Sequence, residues 1–184
     1  MTIIRTKRFI LRPIEKADAP RFAVLCNDLE IARHTARIPH PYTRQDAELF
    51  VDQLIAARAK GDEHAFAVCR DNEIIACAGA LQTGEQVWEI GYWVGADYRG
   101  DGVASEIADA MVQFAIGEMG AASVTAGYFI DNPTSGRVLE KIGFRDTGEA
   151  VMITSLGRAQ PVSSHRLELD VPGFSGARDV VIEA

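Results

Sequence analysis

Metal-ligating residues, long apolar runs and positive charge are all scarce in this 184-residue chain. Cys26, Cys69 and Cys77 are odd in number and lack metal-ligand spacing, so no disulfide framework is expected, only buried thiols in a reducing compartment. His34, His40, His64 and His165 are scattered, and no serine or cysteine elbow accompanies them. Neither a metal site nor a hydrolase site is therefore expected. No run is long enough to cross a bilayer, and the start MTIIRTKRFILRP lacks the phases of a signal peptide. The expectation is a cytoplasmic protein with no membrane partner. A formal net charge of -7 argues against nucleic acid as a partner and suits a cationic one. Repeats, low-complexity tracts and linkers are absent too. The chain is read as one domain over 1-184, its core about 6-170 and its tail 171-184 either a short added strand or a partly ordered end.

What is present is an ordinary globular composition, 47% hydrophobic and 24% charged, enough for a full core. RTKRFILRPI alternates around Ile10 and predicts a first strand ending at Pro13. Asp18 is placed to cap a helix through Ala23 to Cys26, with Pro20 in its first turn. After Pro39–His40–Pro41, Thr43 and Asp46 form the pattern of a capping box. The helix they open carries Leu49, Phe50, Leu54 and Ile55 at helical spacing. HAFAVCRDNEIIACAGALQ predicts a hairpin turning at Asp71–Asn72. VWEIGYWVG predicts a further strand, and from Gly102 a helix carries Val103, Ile107, Ala110, Met111, Phe114 and Ala115 on one face. SVTAGYFI follows as a strand. Asn132–Pro133 then opens a helix that Gly143 stops. Late strands are predicted around Ala150–Ser155 and Ser163–Leu169. The order gives a mixed α/β sheet with helices on both faces.

The segment Tyr98–Arg99–Gly100–Asp101–Gly102–Val103–Ala104 feeds a helix start. The first amides of a helix lack intrahelical partners and lie at the positive end of its dipole. Glycines let a phosphate approach them closely, and Arg99 adds a cation. The spacing is neither a P-loop nor the G-x-G-x-x-G of a dinucleotide fold. Alone, a glycine turn before a helix is more often just a turn.

With the preceding Glu-Ile-Gly-Tyr-Trp-Val, the pattern Arg/Gln-x-x-Gly-x-Gly/Ala resembles the acetyl-CoA loop of the GNAT superfamily of N-acetyltransferases. Three further stretches resemble the branch that includes the ribosomal-protein N-terminal acetyltransferases. TKRFILRPIEKADA at Thr6–Ala19 is similar to its opening strand and helix. IPHPYTRQDAELFV at Ile38–Val51 is similar to its loop into the second helix. NPTSGRVLEKIGF at Asn132–Phe144 is similar to its Asn-x-x-Ser…Leu-Glu-Lys-Ile-Gly-Phe segment. The likeness runs from Thr6 to Leu169 in the expected order.

The resemblance implies an α+β fold: a mostly antiparallel sheet of about seven strands, helices on both faces, and a splay between the fourth and fifth strands, Gln86–Gly95 and Ser123–Ile130. It implies acetyl-CoA as cosubstrate, with no metal. The pyrophosphate would rest on amides from Arg99 through Gly100, Asp101, Gly102 and Val103 to Ala104, with Arg99 contributing backbone, charge or both. The pantetheine arm would lie along Trp93, Val94 and Gly95, and Asn132 would cap its helix and bond to that arm. An amide near Val94 would hold the thioester oxygen.

Glu89, a charge inside an apolar strand on the face of Gly91 and Trp93, is the candidate base, against the alternative of a carboxylate paired with a nearby cation. Ser135 is the candidate acid, against the alternative of a first-turn hydroxyl satisfying a helix end. Leu139 stands where many relatives carry tyrosine, while the ribosomal-protein branch carries serine at the Ser135 position. Trp88 and Trp93 fall on opposite strand faces, one for the core and one for the acceptor cleft, and Tyr128 and Phe129 likewise point apart. The loop His34–Tyr42 would border the acceptor. That acceptor is expected to be a primary amine, foremost a protein N-terminus. The alternatives are a small amine (polyamine, aminoglycoside or amino acid), an acyl-CoA-binding module without turnover, and a scaffold dimer pairing through a sheet edge. The chain is expected as monomer or homodimer.

Overall fold

Asp71 and Asn72 take φ of 51° and 65°, the two left-handed positions of a tight hairpin turn. That turn joins β3 (Glu63–Arg70) to β4 (Glu73–Gly84), which pairs onward with β5 (Val87–Val94). The Thr43–Asp46 capping box opens α3 (Arg44–Lys60), and Gly61 at φ 83° closes it. Asn132 caps α5 (Pro133–Lys141) by accepting from the Ser135 amide at 3.3 Å. Local chemistry fixes each of these ends. The computed structural model describes residues 2–177 and 179–183; of the tail, Arg178 and Ala184 lie outside the described residues.

The remaining elements are β1 (Ile3–Arg5), β2 (Ile10–Pro13), α1 (Ala19–Cys26), α2 (Leu29–Arg33), α4 (Val103–Gly117), β6 (Ser123–Phe129), β7 (Phe144–Ser155), β8 (Gln160–Leu169) and β9 (Val181–Glu183). They form a nine-stranded sheet in the order β7-β8-β6-β5-β4-β3-β2-β1-β9. The β5–β6 pair is parallel and its neighbours are antiparallel. One face packs on α4, whose Ile107, Met111 and Phe114 are fully buried with Phe66 and Leu139. The other packs on α1, α2 and α3 through Phe22, Ile31, Leu54 and Trp93. Helices therefore cover both faces, as expected. Among the described residues no helix is long and apolar enough to cross a membrane.

Several local expectations change. The sheet has nine strands rather than about seven, because the opening segment is a hairpin and the tail adds β9 beside β1. The chain reverses where the Thr6 amide bonds to the Phe9 carbonyl at 2.9 Å, splitting the single predicted strand in two. Asp18 sits at the α1 cap position, but its carboxylate bonds to the Glu15 amide at 2.9 Å and to Arg12 instead. On α3 the buried stripe is Ala47, Val51 and Leu54, with Leu49 turned outward. The five-residue α2 was not foreseen.

A close contact joins α5 to β6. A Cβ at Gly136 would come within 2.8 Å of the Tyr128 ring. That ring is itself stacked on His165, with centroids 5.0 Å apart. Replacing Gly136 with Val is expected to destabilise the protein by about 1–3 kcal/mol through overpacking, read from urea unfolding.

Candidate active site

β5 and β6 pair only at Val87–Ser123, Trp88–Val124 and Glu89–Thr125, and then part. The Gly95 amide donates to the Ile75 carbonyl at 2.9 Å, so along the antiparallel ladder Trp93 and Gly95 spend their amides on β4. Tyr92 and Val94 then face the opening. On the other bank the Ile130 amide donates to Ser163 at 3.0 Å, which leaves Gly127 and Phe129 facing inward. A cavity of about 730 Å³ fills the opening, with Tyr92, Val94, Gly127, Tyr128 and Ser135 among its walls. Of the predicted pantetheine residues, Val94 thus offers a main-chain donor, whereas Trp93 offers a buried ring set edge-on to Phe22.

The start of α5 spans both banks. The Ser135 and Tyr92 hydroxyls lie 3.1 Å apart, and Gly136 rests on Tyr128. Burial raises the Tyr92 phenol above its ordinary range, and the Ser135 bond offsets this only in part. Leu139, one turn on, is buried core that also lines the cavity.

Beyond β5 the chain turns through Gly100 and Gly102, at φ 83° and 71°, conformations that strain any residue with a Cβ. The first intrahelical bond of α4 runs from the Glu106 amide to the Gly102 carbonyl, so Val103, Ala104 and Ser105 present free amides at the positive end of a 15-residue helix. Arg8 braces this loop from outside, bonding to the Asp101 carbonyl at 2.8 Å and to Glu106 Oε2 at 2.7 Å. Thr6 donates to Glu106 Oε1 at 2.6 Å. Burial alone would raise the Glu106 carboxyl, but the bonds from Thr6 and Arg8 outweigh it and hold the group below its ordinary range. Arg99 turns its guanidinium away from the amides. Its Nε donates to the Val94 carbonyl at 3.1 Å and its Nη2 to Asp28.

Glu89 lies on the cavity wall, half-buried, and its Oε2 accepts from Arg166 Nη1 at 2.9 Å. It is at once the strand carboxylate facing the cleft and a carboxylate with a cation partner. Asn132 also lines the cavity while capping α5. The wall of the cavity expected to border an acceptor comprises α2 and the segment after it, including Ile31, His34, Thr35 and Ile38. The tip of the β7–β8 hairpin docks on that wall: the Leu156 amide bonds to Ala36 O, the Ser155 hydroxyl to Thr35 O and Arg158 Nε to Arg33 O. Trp88 packs on the α4 side with Phe114 and His64 nearby, opposite Trp93. The three cysteines are buried and free, and burial pushes the Cys77 thiol up to about 12. Among the described residues no cluster of His, Cys, Asp or Glu is arranged to hold a metal.

Tyr92, Arg166, Asp28, Arg8 and Glu106 were not singled out from the sequence. Tyr92 had a signal in its phase: it alternates with Glu89 and Trp93 and so points to the α5 face. The partners of Glu89 and Arg99 lie 77 and 71 residues away, and nothing local announces them.

The family model of the acetyltransferase (GNAT) domain matches residues 8–145. The uncharacterized N-acetyltransferase YnaD of Bacillus subtilis is 30% identical over 150 residues, 79% of this chain and 84% of that protein. A solved structure of RimL, the ribosomal L7/L12 alpha-N-protein acetyltransferase in complex with coenzyme A, superposes with a TM-score of 0.79 at 16% identity, covering 92% of this chain and 99% of that one. A spermidine N-acetyltransferase SpeG chimera of Vibrio cholerae and hSSAT gives a TM-score of 0.74 at 14% identity, covering 90% and 97%.

The Glu106 brace carries a pH signature. Its folded carboxyl titrates below the unfolded one, so its contribution is complete above the unfolded value and is lost as pH falls through the folded value. The stability advantage of the wild type over Glu106→Gln is expected to be full at neutral pH and to shrink on acidification through the carboxylate range, measured by urea unfolding at several pH values.

Proposed function

The chain belongs to the GNAT acetyltransferase family, and on that premise we propose that it transfers the acetyl group of acetyl-CoA to a primary amine, foremost the α-amine of a protein or peptide N-terminus. The observation that carries this reading is the set of free amides at the start of α4 beside a parted strand pair. A diphosphate fits the first, and an extended amide-bearing arm fits the second.

Acetyl-CoA supplies an activated thioester. The amides from Gly100 to Ala104 seat its diphosphate, and Arg99, its guanidinium committed to Val94 and Asp28, holds the loop that carries them. The inward-facing main-chain groups of Tyr92 bond to its arm, Trp93 shapes the cleft behind them, and Asn132 adds a side-chain contact from the α5 cap. The Val94 amide donates to the thioester oxygen, where negative charge develops. Glu89, held in place by Arg166, takes the proton that the attacking amine sheds. Ser135 returns a proton to the departing sulfur and is resupplied through the Tyr92 hydroxyl. A thiol near pKa 8.5 leaves without a strong acid, and an α-amine near 7.7–8.0 is partly neutral at pH 7, so weak acid–base groups suffice. The likeness to an alpha-N-protein acetyltransferase supports the peptide acceptor. The net charge of -7 and the likeness to a spermidine enzyme keep a small polyamine as the second reading.

The test is thiol release from acetyl-CoA against peptides with free N-terminal alanine or serine, spermidine, an aminoglycoside and free amino acids. Turnover of the peptides is expected; turnover of none, with coenzyme A bound, would leave a binding module. Gly102→Glu places a bulky anion at the diphosphate seat and is expected to weaken coenzyme A binding by about a hundredfold or more, about 2.7 kcal/mol, by calorimetry. Unchanged affinity in a folded variant refutes the seat. Glu89→Gln is expected to lower the rate most steeply at low pH and to leave coenzyme A affinity intact. A pH–rate profile identical to wild type removes Glu89 from proton transfer.

A further inference from the structure

Arg99 is the cation of the glycine loop, yet its guanidinium bonds in two other directions. Nε holds the Val94 carbonyl at 3.1 Å, the last residue of β5, and Nη2 pairs with Asp28 Oδ2. The other carboxylate oxygen, Asp28 Oδ1, accepts from the Glu30 amide at 2.8 Å and so caps α2. One planar fork therefore connects the end of β5, the phosphate-seating loop and the cap of the helix that walls the acceptor side of the cavity. The far end of α2 is fixed independently. Arg158 Nε donates to the Arg33 carbonyl at 2.6 Å while its Nη2 bonds to Asp131 at 2.8 Å. The wall is thus anchored at its C-terminal end and tied at its N-terminal end to the part of the protein that meets the cofactor.

We propose that the Arg99–Asp28 pair couples occupancy of the α4 loop to the placement of α2, making both positioning residues for the acceptor. This rests on the acetyl-transfer reading above. A charge-assisted contact with a mostly buried partner (the Asp28 side chain is 20% exposed) transmits a shift of the loop to whatever that partner caps. Filling the seat shifts the loop, the fork moves with the backbone that bears it, and α2 follows, setting Ile31 and His34 in the acceptor wall. Acceptor recognition then follows cofactor binding as a linked equilibrium.

Asp28→Asn separates the two duties of Asp28, because asparagine caps a helix as well as aspartate does but carries no charge for Arg99. The measurement is amide hydrogen exchange with and without coenzyme A. In the wild type, coenzyme A is expected to slow exchange over 100–106 and also over 29–36. In Asp28→Asn the protection of 100–106 is expected to persist and that of 29–36 to vanish. The acceptor KM of the peptide or spermidine that the wild type turns over is expected to rise about five- to twentyfold, with kcat near wild type. Arg99→Lys, which keeps the charge but not the fork, is expected to lose the same protection, and it serves if Asp28→Asn fails to fold. Protection of 29–36 that survives in a folded variant, or that is absent from the wild type, overturns the coupling. Absence of protection over 100–106 in the wild type overturns the phosphate seat itself, and this inference with it.

Discussion

The parting of β5 from β6 after three paired positions is the constraint on which the site depends. Two neighbouring strands ordinarily satisfy each other, and a buried main-chain donor left without a partner is costly. Here the separation is held from above by α5, which touches β5 through Ser135 and Tyr92 and β6 through Gly136 and Tyr128. Beyond Glu89–Thr125 the donors that face the opening have no neighbouring strand to pair with.

A second condition is that the amides at the head of α4 stay free while their loop stays ordered. The loop meets this by being braced from behind. Arg8 grips the Asp101 carbonyl, Glu106 collects bonds from Thr6 and Arg8, and Arg99 is tied to Val94 and Asp28. Charges crowd around this turn, yet they act on its carbonyls, its carboxylates and each other, leaving the amides uncovered. The left-handed turns at Gly100 and Gly102 complete the arrangement by removing the side chains that would stand in front.

Much of this was legible in the sequence because it is written locally. The Asp71–Asn72 turn, the Thr43–Asp46 box, the Asn132–Pro133 start and the apolar face of α4 each depend on residues a few positions apart, and each forms as read. What was missed or left open is long-range, the tail having been read as either a short added strand or a partly ordered end. β9 exists because Val181–Glu183 finds β1 across the whole chain, and β1 is separate because of a turn at Thr6–Phe9 whose hydroxyl is engaged by Glu106. Leu49 is apolar but faces outward, since Ala47 and Val51 already fill the seam with α1. At the site, Glu89 and Ser135 stood out by type and neighbours, whereas Tyr92, Arg166 and Asp28 gain meaning only from what folding brings beside them.

The docking of the β7–β8 tip on the segment after α2 uses acceptors of one kind: the carbonyls of Arg33, Thr35 and Ala36. A grip on the main chain is indifferent to the identity of the side chains along it. Substitutions at His34 and Ala36 leave these main-chain acceptors in place, so the cavity wall can change its side chains while the hairpin tip stays docked.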